Sequence, residues 1–413
     1  ILIALEELQQ YDEGLGLVRQ WLKEEGLTPP DRVLYRMVLV KLCEKARQFD
    51  LGHKELDQWI AEASIDEDRN NWRMLKLNLY VVADQADRAE AMARDWDKRE
   101  GQDEGKQTLI ASLLTHKKYE PAERVCRQWL REKPDSFEAQ ASLVDTLVQA
   151  KRYEPAIQTL ESVLGRGAAT RPVAGLDRQE LARIRVLRHM LLRLMIRVGK
   201  HAQVLQYVRN YLVLDGDDAE LYNLQSSSYQ ELGQNDRALE ALEKGYRMAP
   251  DSTSFNNNLG YLLADRGQDL DRAERMIRRA LADEPSQLAY RDSLGWLFYK
   301  KGRLAEAVRV FEDVIRESKE QDEEHAVMYD HAGDDCWRLA GEEKERSAEL
   351  RKRAVEYWLR SVELAQKEDV VLAEIRQVKK DTPGKVEAAK AGRQPAVAPL
   401  GRDAKSPTTQ PKK

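Results

Sequence analysis

The segments beginning at Ala219, Thr253 and Leu288 restate one another at intervals of 34 and 35 residues. The second and third carry Leu-Gly at Leu259-Gly260 and Leu294-Gly295, and all three carry an alanine, at Ala238, Ala273 and Ala307. Each then has a large apolar residue four positions on (Leu242, Ile277, Phe311) and a small or β-branched one three later (Gly245, Ala280, Val314). The first two close on Pro250 and Pro285. A fixed period of this length predicts stacked supersecondary units, none of which buries its apolar face alone.

The same register indexes the rest of the chain. Ile1–Gly26 reads as the back half of a first repeat, with Gly14 in the alanine position and Trp21 seven residues later. A second repeat spans Val33–Asp66 (Gly52, Trp59), a third Asn70–Gln102 (Ala89, Trp96) and a fourth Asp103–Ser136 (Ala122, Trp129). Arg-Gln-Trp-Leu occurs at both Arg19–Leu22 and Arg127–Leu130, and Tyr-Glu-Pro-Ala links the fourth repeat (Tyr119–Ala122) to the fifth, Phe137–Thr170 (Tyr153–Ala156). The stretch Gly165–Gly175, rich in Gly, Ala, Thr and Pro, predicts a loop, and residues 171–184 an insertion that separates the repeats by about fourteen residues. The sixth repeat is expected over Arg185–Asp218. A tenth begins near Ala326, with Ala332-Gly333, a turn at Gly341, a charged insertion Glu342–Arg351 and Ala354 in its second helix. The expected organisation is therefore N-terminal repeats over 1–170, the insertion at 171–184 and C-terminal repeats over 185–379. Residues 380–413, rich in Lys, Pro and Ala without apolar periodicity, are expected to form a disordered tail.

Each repeat has room for two helices of about a dozen residues, joined by a turn at Lys151, Gly199, Gly233, Gly267 or Gly302. Small residues are required where the pair crosses closely: Gly260, Gly295 and Gly333 in first helices, alanines in the second. Tryptophans at one repeat position predict packing against the next repeat, and Cys43, Cys126 and Cys336 fall at inward positions as small hydrophobes. The expected fold is all-α, an α-solenoid.

This pattern is similar to the tetratricopeptide repeat (TPR) family, most closely at Tyr222, Tyr229, Ala238 and Pro250 and at Leu294, Gly295, Phe298, Ala307 and Phe311. The resemblance implies a right-handed superhelix whose first helices line a concave groove for a protein or peptide partner. The groove-facing residues would be Asn223, Asn257, Tyr261, Asp292, Trp296, Tyr299, Lys300, Asp330, Asp334, Trp337 and Arg338. In the sixth repeat His189, Arg193 and Arg197 would face the same way as a patch for an acidic partner. Asn258–Arg266, Asp292–Gly302 and Asp330–Gly341 also resemble the C-terminal repeats of large bacterial envelope-associated TPR lipoproteins, one group of which serves as protease adaptors. Family members that grip chaperone C-terminal carboxylates use a Lys/Asn/Arg clamp. The matching positions are Asn223, Ser227, Asn258, Ala289 and Ser293, of which Asn258 alone fits, so no such clamp is expected.

No chemistry stands out. Glu324-His325 and His331 are not spaced as paired metal ligands, Gly165-Arg166-Gly167 lacks the context of a phosphate loop, and no nucleophile–base pair is evident. Neither a catalytic residue, a metal nor a cofactor is expected, and the chain reads as a non-enzymatic scaffold or adaptor. A helical-repeat RNA binder is the alternative, and it requires a strongly basic groove, which only the sixth repeat provides. A further alternative is the non-catalytic arm of a larger enzyme or export machine. No run of about 18 apolar residues would form a membrane helix. Ile1–Leu8 already reads as a helix interior, so the chain is taken as part of a longer protein, and the compartment stays open between cytoplasm and bacterial envelope.

Overall fold

A computed structural model describes residues 9–24, 26–165, 176–368 and 372–401. The reading of Ile1–Leu8 as helix, most of the Gly165–Gly175 loop and the end of the tail (402–413) lie outside them. The described residues form twenty α-helices and one short 3-10 turn. They divide into two compact bodies, Ile1–Val163 and Leu164–Lys413, so the boundary falls at the end of the fifth repeat's second helix.

In the N-terminal body α1 (Tyr11–Trp21) is the half-repeat. The second to fifth repeats are the pairs α2 (Pro29–Lys45) and α3 (Phe49–Glu62), α4 (Asp66–Val82) and α5 (Ala86–Glu100), α6 (Glu104–Thr115) and α7 (Tyr119–Glu132), and α8 (Phe137–Gln149) and α9 (Tyr153–Val163). In the C-terminal body the sixth to tenth repeats are α10 (Arg178–Arg197) and α11 (His201–Leu214), α12 (Glu220–Glu231) and α13 (Asn235–Met248), α14 (Thr253–Asp265) and α15 (Leu270–Asp283), α16 (Leu288–Lys300) and α17 (Leu304–Glu320), and α18 (Ala326–Glu342) and α19 (Ser347–Lys367). A last helix, α20 (Ala373–Lys390), follows. Both bodies are stacks of such helix pairs, and the fold is an α-solenoid.

One backbone device sets the repeat. The residue between the two helices has positive φ in eight repeats: Arg47, Asp84, Lys117, Lys151, Gly199, Gly233, Gly267 and Gly302. The residue after it donates its N–H to a carbonyl five positions back, as in Gln48 to Cys43 (2.8 Å), Arg152 to Leu147 (2.7 Å) and Arg303 to Phe298 (2.9 Å). That left-handed cap satisfies the last carbonyls of the first helix and reverses the chain at a fixed angle. In the four N-terminal cases a side chain tolerates a conformation that suits glycine, which costs roughly 1–2 kcal/mol.

The close crossing follows from the turn. A Cβ on Gly295 would lie 2.7 Å from Phe311 Cε1, and one on Gly260 2.7 Å from Ile277 Cγ1 and 3.2 Å from the Ala273 carbonyl oxygen. Gly333 likewise leaves the space taken by Trp358. The glycine thus houses the large side chain four residues beyond the alanine more than the alanine itself. The shared tryptophans bridge to the next repeat: Trp59 and Trp72 meet edge-on at 5.3 Å, Trp21 lies 5.4 Å from Tyr35, and Trp96 and Trp129 are buried. All three cysteines are buried and free; burial pushes the Cys43 and Cys336 thiols up to about 12 and Cys126 to about 11, consistent with a packing role.

Three boundaries differ from the sequence reading. α10 begins at Arg178, seven residues before the expected Arg185, because Asp177 accepts from the Gln179 and Glu180 N–H groups (both 2.8 Å) and Glu180 reaches back to Asp177 in a capping box. Gly341 is not a turn: α18 continues to Glu342, and the charged insertion divides between a 3-10 turn at Lys344–Arg346 and the start of α19. The tail expected from Lys380 begins inside α20, which runs to Lys390 through Pro383, and the chain to Gly401 packs back on the repeats.

Two substitutions test this account by urea denaturation. Gly295→Leu should lower stability by about 1–3 kcal/mol or more, since buried Phe311 has no room to yield. Lys117→Gly, at an exposed turn with φ 56°, should raise it by up to about 1 kcal/mol. A neutral result for the first would mean that the crossing is not close.

Candidate functional site

The groove-facing positions project from four successive first helices, α12, α14, α16 and α18, because residues three and four apart share a helix face. Several are spent on joining repeats. Asn223 donates to Glu220 (2.9 Å) and Ser254 (3.3 Å) and accepts from Asn258 (3.3 Å), stitching α12 to α14. Asn257, also buried, donates to Asn258 at 3.2 Å. Trp296 is 4% exposed and sandwiched by Tyr299 (centroids 4.9 Å apart) and His331 (4.0 Å), while its Nε1 donates to Asp265 (3.1 Å). Lys300 donates to the Asp265 carbonyl at 2.9 Å. Trp337 lies against Trp358 (5.7 Å) beneath the Arg351 guanidinium (5.3 Å). Trp296, Tyr299 and His331 form one stack, Trp337 belongs to the same apolar cluster, and Tyr261 packs against it.

Across this face lies the chain's own C-terminal segment. At the start of α20 the Ala373 N–H and Arg376 donate to Glu231 (2.7 and 2.8 Å), and Tyr261 donates to Glu374 (3.1 Å). Further along, Thr382 donates to Asp330 (2.7 Å), and Lys385 bonds both Asp330 oxygens (2.9 Å each) and Asp334 (2.6 Å). Beyond the helix, Asp334 accepts the Ala398 N–H at 2.8 Å. The Ala398 carbonyl accepts from Arg338 at 2.6 Å and from the Tyr299 hydroxyl, and Arg338 Nε donates to that hydroxyl at 3.0 Å. The Gly401 N–H donates to the Lys300 carbonyl at 2.8 Å. Val397, Ala398 and Leu400 pack on the cluster holding Trp296, Tyr299 and Trp337.

Residues 113–179 match a tetratricopeptide-repeat family profile, and 223–269 and 264–322 match a second. Those stretches are the helix pairs described above. The chain carries tetratricopeptide repeats. It is similar to the TPR repeat-containing protein PA4667 of Pseudomonas aeruginosa, 35% identical over 82 residues, which are 19% of this chain and 14% of that protein. Among solved structures it is similar to a tetratricopeptide repeat protein from Parabacteroides merdae (15% identity, TM-score 0.46, covering 68% of this chain and 96% of that one). It is also similar to a chain of the APC/C hetero-tetramer Cut9–Hcn1 (11% identity, TM-score 0.46, covering 95% and 76%). Likenesses this low transfer no partner. The repeats themselves mark the chain in general terms as a protein-interaction scaffold.

The basic stripe of the sixth repeat is not a free cationic strip. Arg185 binds Asp215 through two nitrogens (2.6 and 2.5 Å), His189 lies 2.8 Å from Asp218, and Arg193 donates to Glu220 (2.8 Å). Arg197 also has an interaction partner, and Arg188 is wholly buried, its guanidinium 4.7 Å from the Tyr211 ring centroid. The acids come from the turn entering the seventh repeat, so the stripe holds repeats together. Among the described residues no three His, Cys, Asp or Glu gather as a metal site, and no helix is long and apolar enough to cross a membrane.

Sequence reasoning missed Glu374, Thr382, Lys385, Ala398 and Gly401. The available signal was faint: Ile375, Val378 and Val386 form a helical apolar stripe that the surrounding Lys and Pro obscure.

The electrostatics of the face are those of buried pairs. Burial opposes the charge on Lys385, but Asp334 and Asp330 outweigh it and raise its pKa. His331 behaves alike: burial acts against protonation, Asp292 at 3.3 Å acts for it, and the balance is upward. A group whose pKa rises on folding contributes stability that is complete below its unfolded value and lost as pH climbs through the folded one. From about pH 6 upward, therefore, the urea midpoint of the wild type should fall more steeply than that of His331→Gln. Parallel pH curves would remove His331 from the account.

Proposed function

We propose that the protein is a non-enzymatic interaction scaffold whose seventh to tenth repeats hold an extended protein segment against their first helices. Tyr299, Asp334 and Arg338 read the segment's backbone, and the neighbouring aromatic stack receives its apolar side chains. One observation carries this reading: both backbone polar groups of a single residue, Ala398, are bound by side chains from two adjacent first helices. Side chains that bond main-chain groups secure an extended segment, while adjacent apolar contacts choose among segments. Lys300, Asp330 and Trp296 support the site by holding its walls in place.

An anionic ligand such as RNA is disfavoured, because the sixth-repeat cations Arg185, His189 and Arg193 are engaged by acids. Hydrogen exchange on the full chain tests the proposal. The amides of Ala398 and Gly401 should exchange at least tenfold faster in Arg338→Ala than in the wild type, with helices α12 to α17 unchanged. Equal exchange in the two proteins would sink it.

A further inference from the structure

The run from Val397 to Gly401 is seated more narrowly than the helix before it. Ala398 is gripped at its N–H by Asp334 and at its carbonyl by Arg338 and Tyr299. Pro399 biases the preceding residue toward extended backbone, and it brings no N–H that would be left unpaired in the groove. Val397 and Leu400, on either side, meet the aromatic cluster. Gly401 closes the run where nothing larger fits: a Cβ there would lie 2.8 Å from Leu270 Cδ1, 3.0 Å from the Lys300 carbonyl oxygen and 3.2 Å from Gly267 Cα. Two of those three are backbone atoms that cannot swing aside. The groove therefore reads a pattern, apolar–small–Pro–apolar–Gly, in one register.

The helix before this run is interrupted in its own hydrogen bonding. Pro383 sits inside α20, where it removes one helical hydrogen bond and crowds the preceding turn, and Gly384 follows it. The helix is tied down by polar contacts to Glu231, Tyr261, Asp330 and Asp334 and by the buried side chains of Ile375, Val378 and Val386. Beside its first turns an open cleft of about 370 Å³ runs between Asn257, Tyr261, Asp292, Met328 and Glu374.

We infer that Val397–Gly401 is a resident copy of the motif by which a partner protein binds. The partner presents an extended apolar–small–Pro–apolar–Gly run, which takes the place of the chain's own segment. This rests on the reading that the groove holds extended segments and adds both the sequence of the partner's segment and the competition for the site.

A fluorescent peptide with the sequence of residues 394–403 is titrated into the full chain and into its Gly401→Val variant, followed by anisotropy. The variant's own segment cannot seat, so it should bind the peptide at least tenfold more tightly than the wild type does. A peptide carrying valine in place of its glycine should bind neither protein. Leu400→Asp, which loosens the segment without touching the backbone clamp, should repeat the gain and covers the case in which Gly401→Val misfolds. Equal affinity for wild type and both variants overturns the competition while leaving the groove reading intact. Equal binding of the valine peptide overturns the motif. Binding to none of the proteins overturns the inference and the groove reading together.

Discussion

Everything in this chain depends on how closely the two helices of one repeat approach. In eight repeats a left-handed residue between them fixes the angle, and in the eighth, ninth and tenth the missing Cβ at Gly260, Gly295 or Gly333 lets a large side chain of the second helix fill the crossing. Once that distance is set, each pair presents a similar surface to the next, and the stack continues without further instruction. The first helices then line up side by side. Neighbouring first helices thus present side chains to one shared strip, which is how Asp334 and Tyr299 reach the same residue, Ala398.

The register was legible because it is enforced by packing. Ala238, Ala273, Ala307 and Ala354 are wholly buried, and the inward cysteines and tryptophans sit in the cores that their spacing implies. The turn was legible only where glycine marks it. In the N-terminal repeats Arg47, Asp84, Lys117 and Lys151 hold the same conformation, and the composition of those residues gives no warning. Helix ends were less readable still. The capping box at Asp177 and the continuation of α18 past Gly341 are local choices that repeat spacing does not specify.

The site was legible in part, for a physical reason. A repeat register tells which side chains face the groove, and Tyr299, Lys300, Asp334 and Arg338 all meet the C-terminal segment there. It does not tell what they meet, because the contacts on the other side are largely main-chain atoms of Ala398 and Gly401, which any sequence possesses. Asn223 and Trp296 face the same way and are absorbed in joining one repeat to the next. The arginines of α10 look like a binding stripe only until the acids of the following turn are placed beside them.

A stack of repeats is ordinarily a chain of nearest neighbours, in which a disturbance fades within a repeat or two. α20 changes that connectivity. It binds Glu231 in the seventh repeat, Tyr261 in the eighth and Asp330 and Asp334 in the tenth, while the run beyond it reaches the turn at Gly267. Repeats that never touch directly are thus bound to one common strut. The C-terminal body consequently acts as a laced panel, in which slack introduced at one repeat is shared by those three places away. Whether the lacing is fastened or undone sets how far the array can flex as a spring.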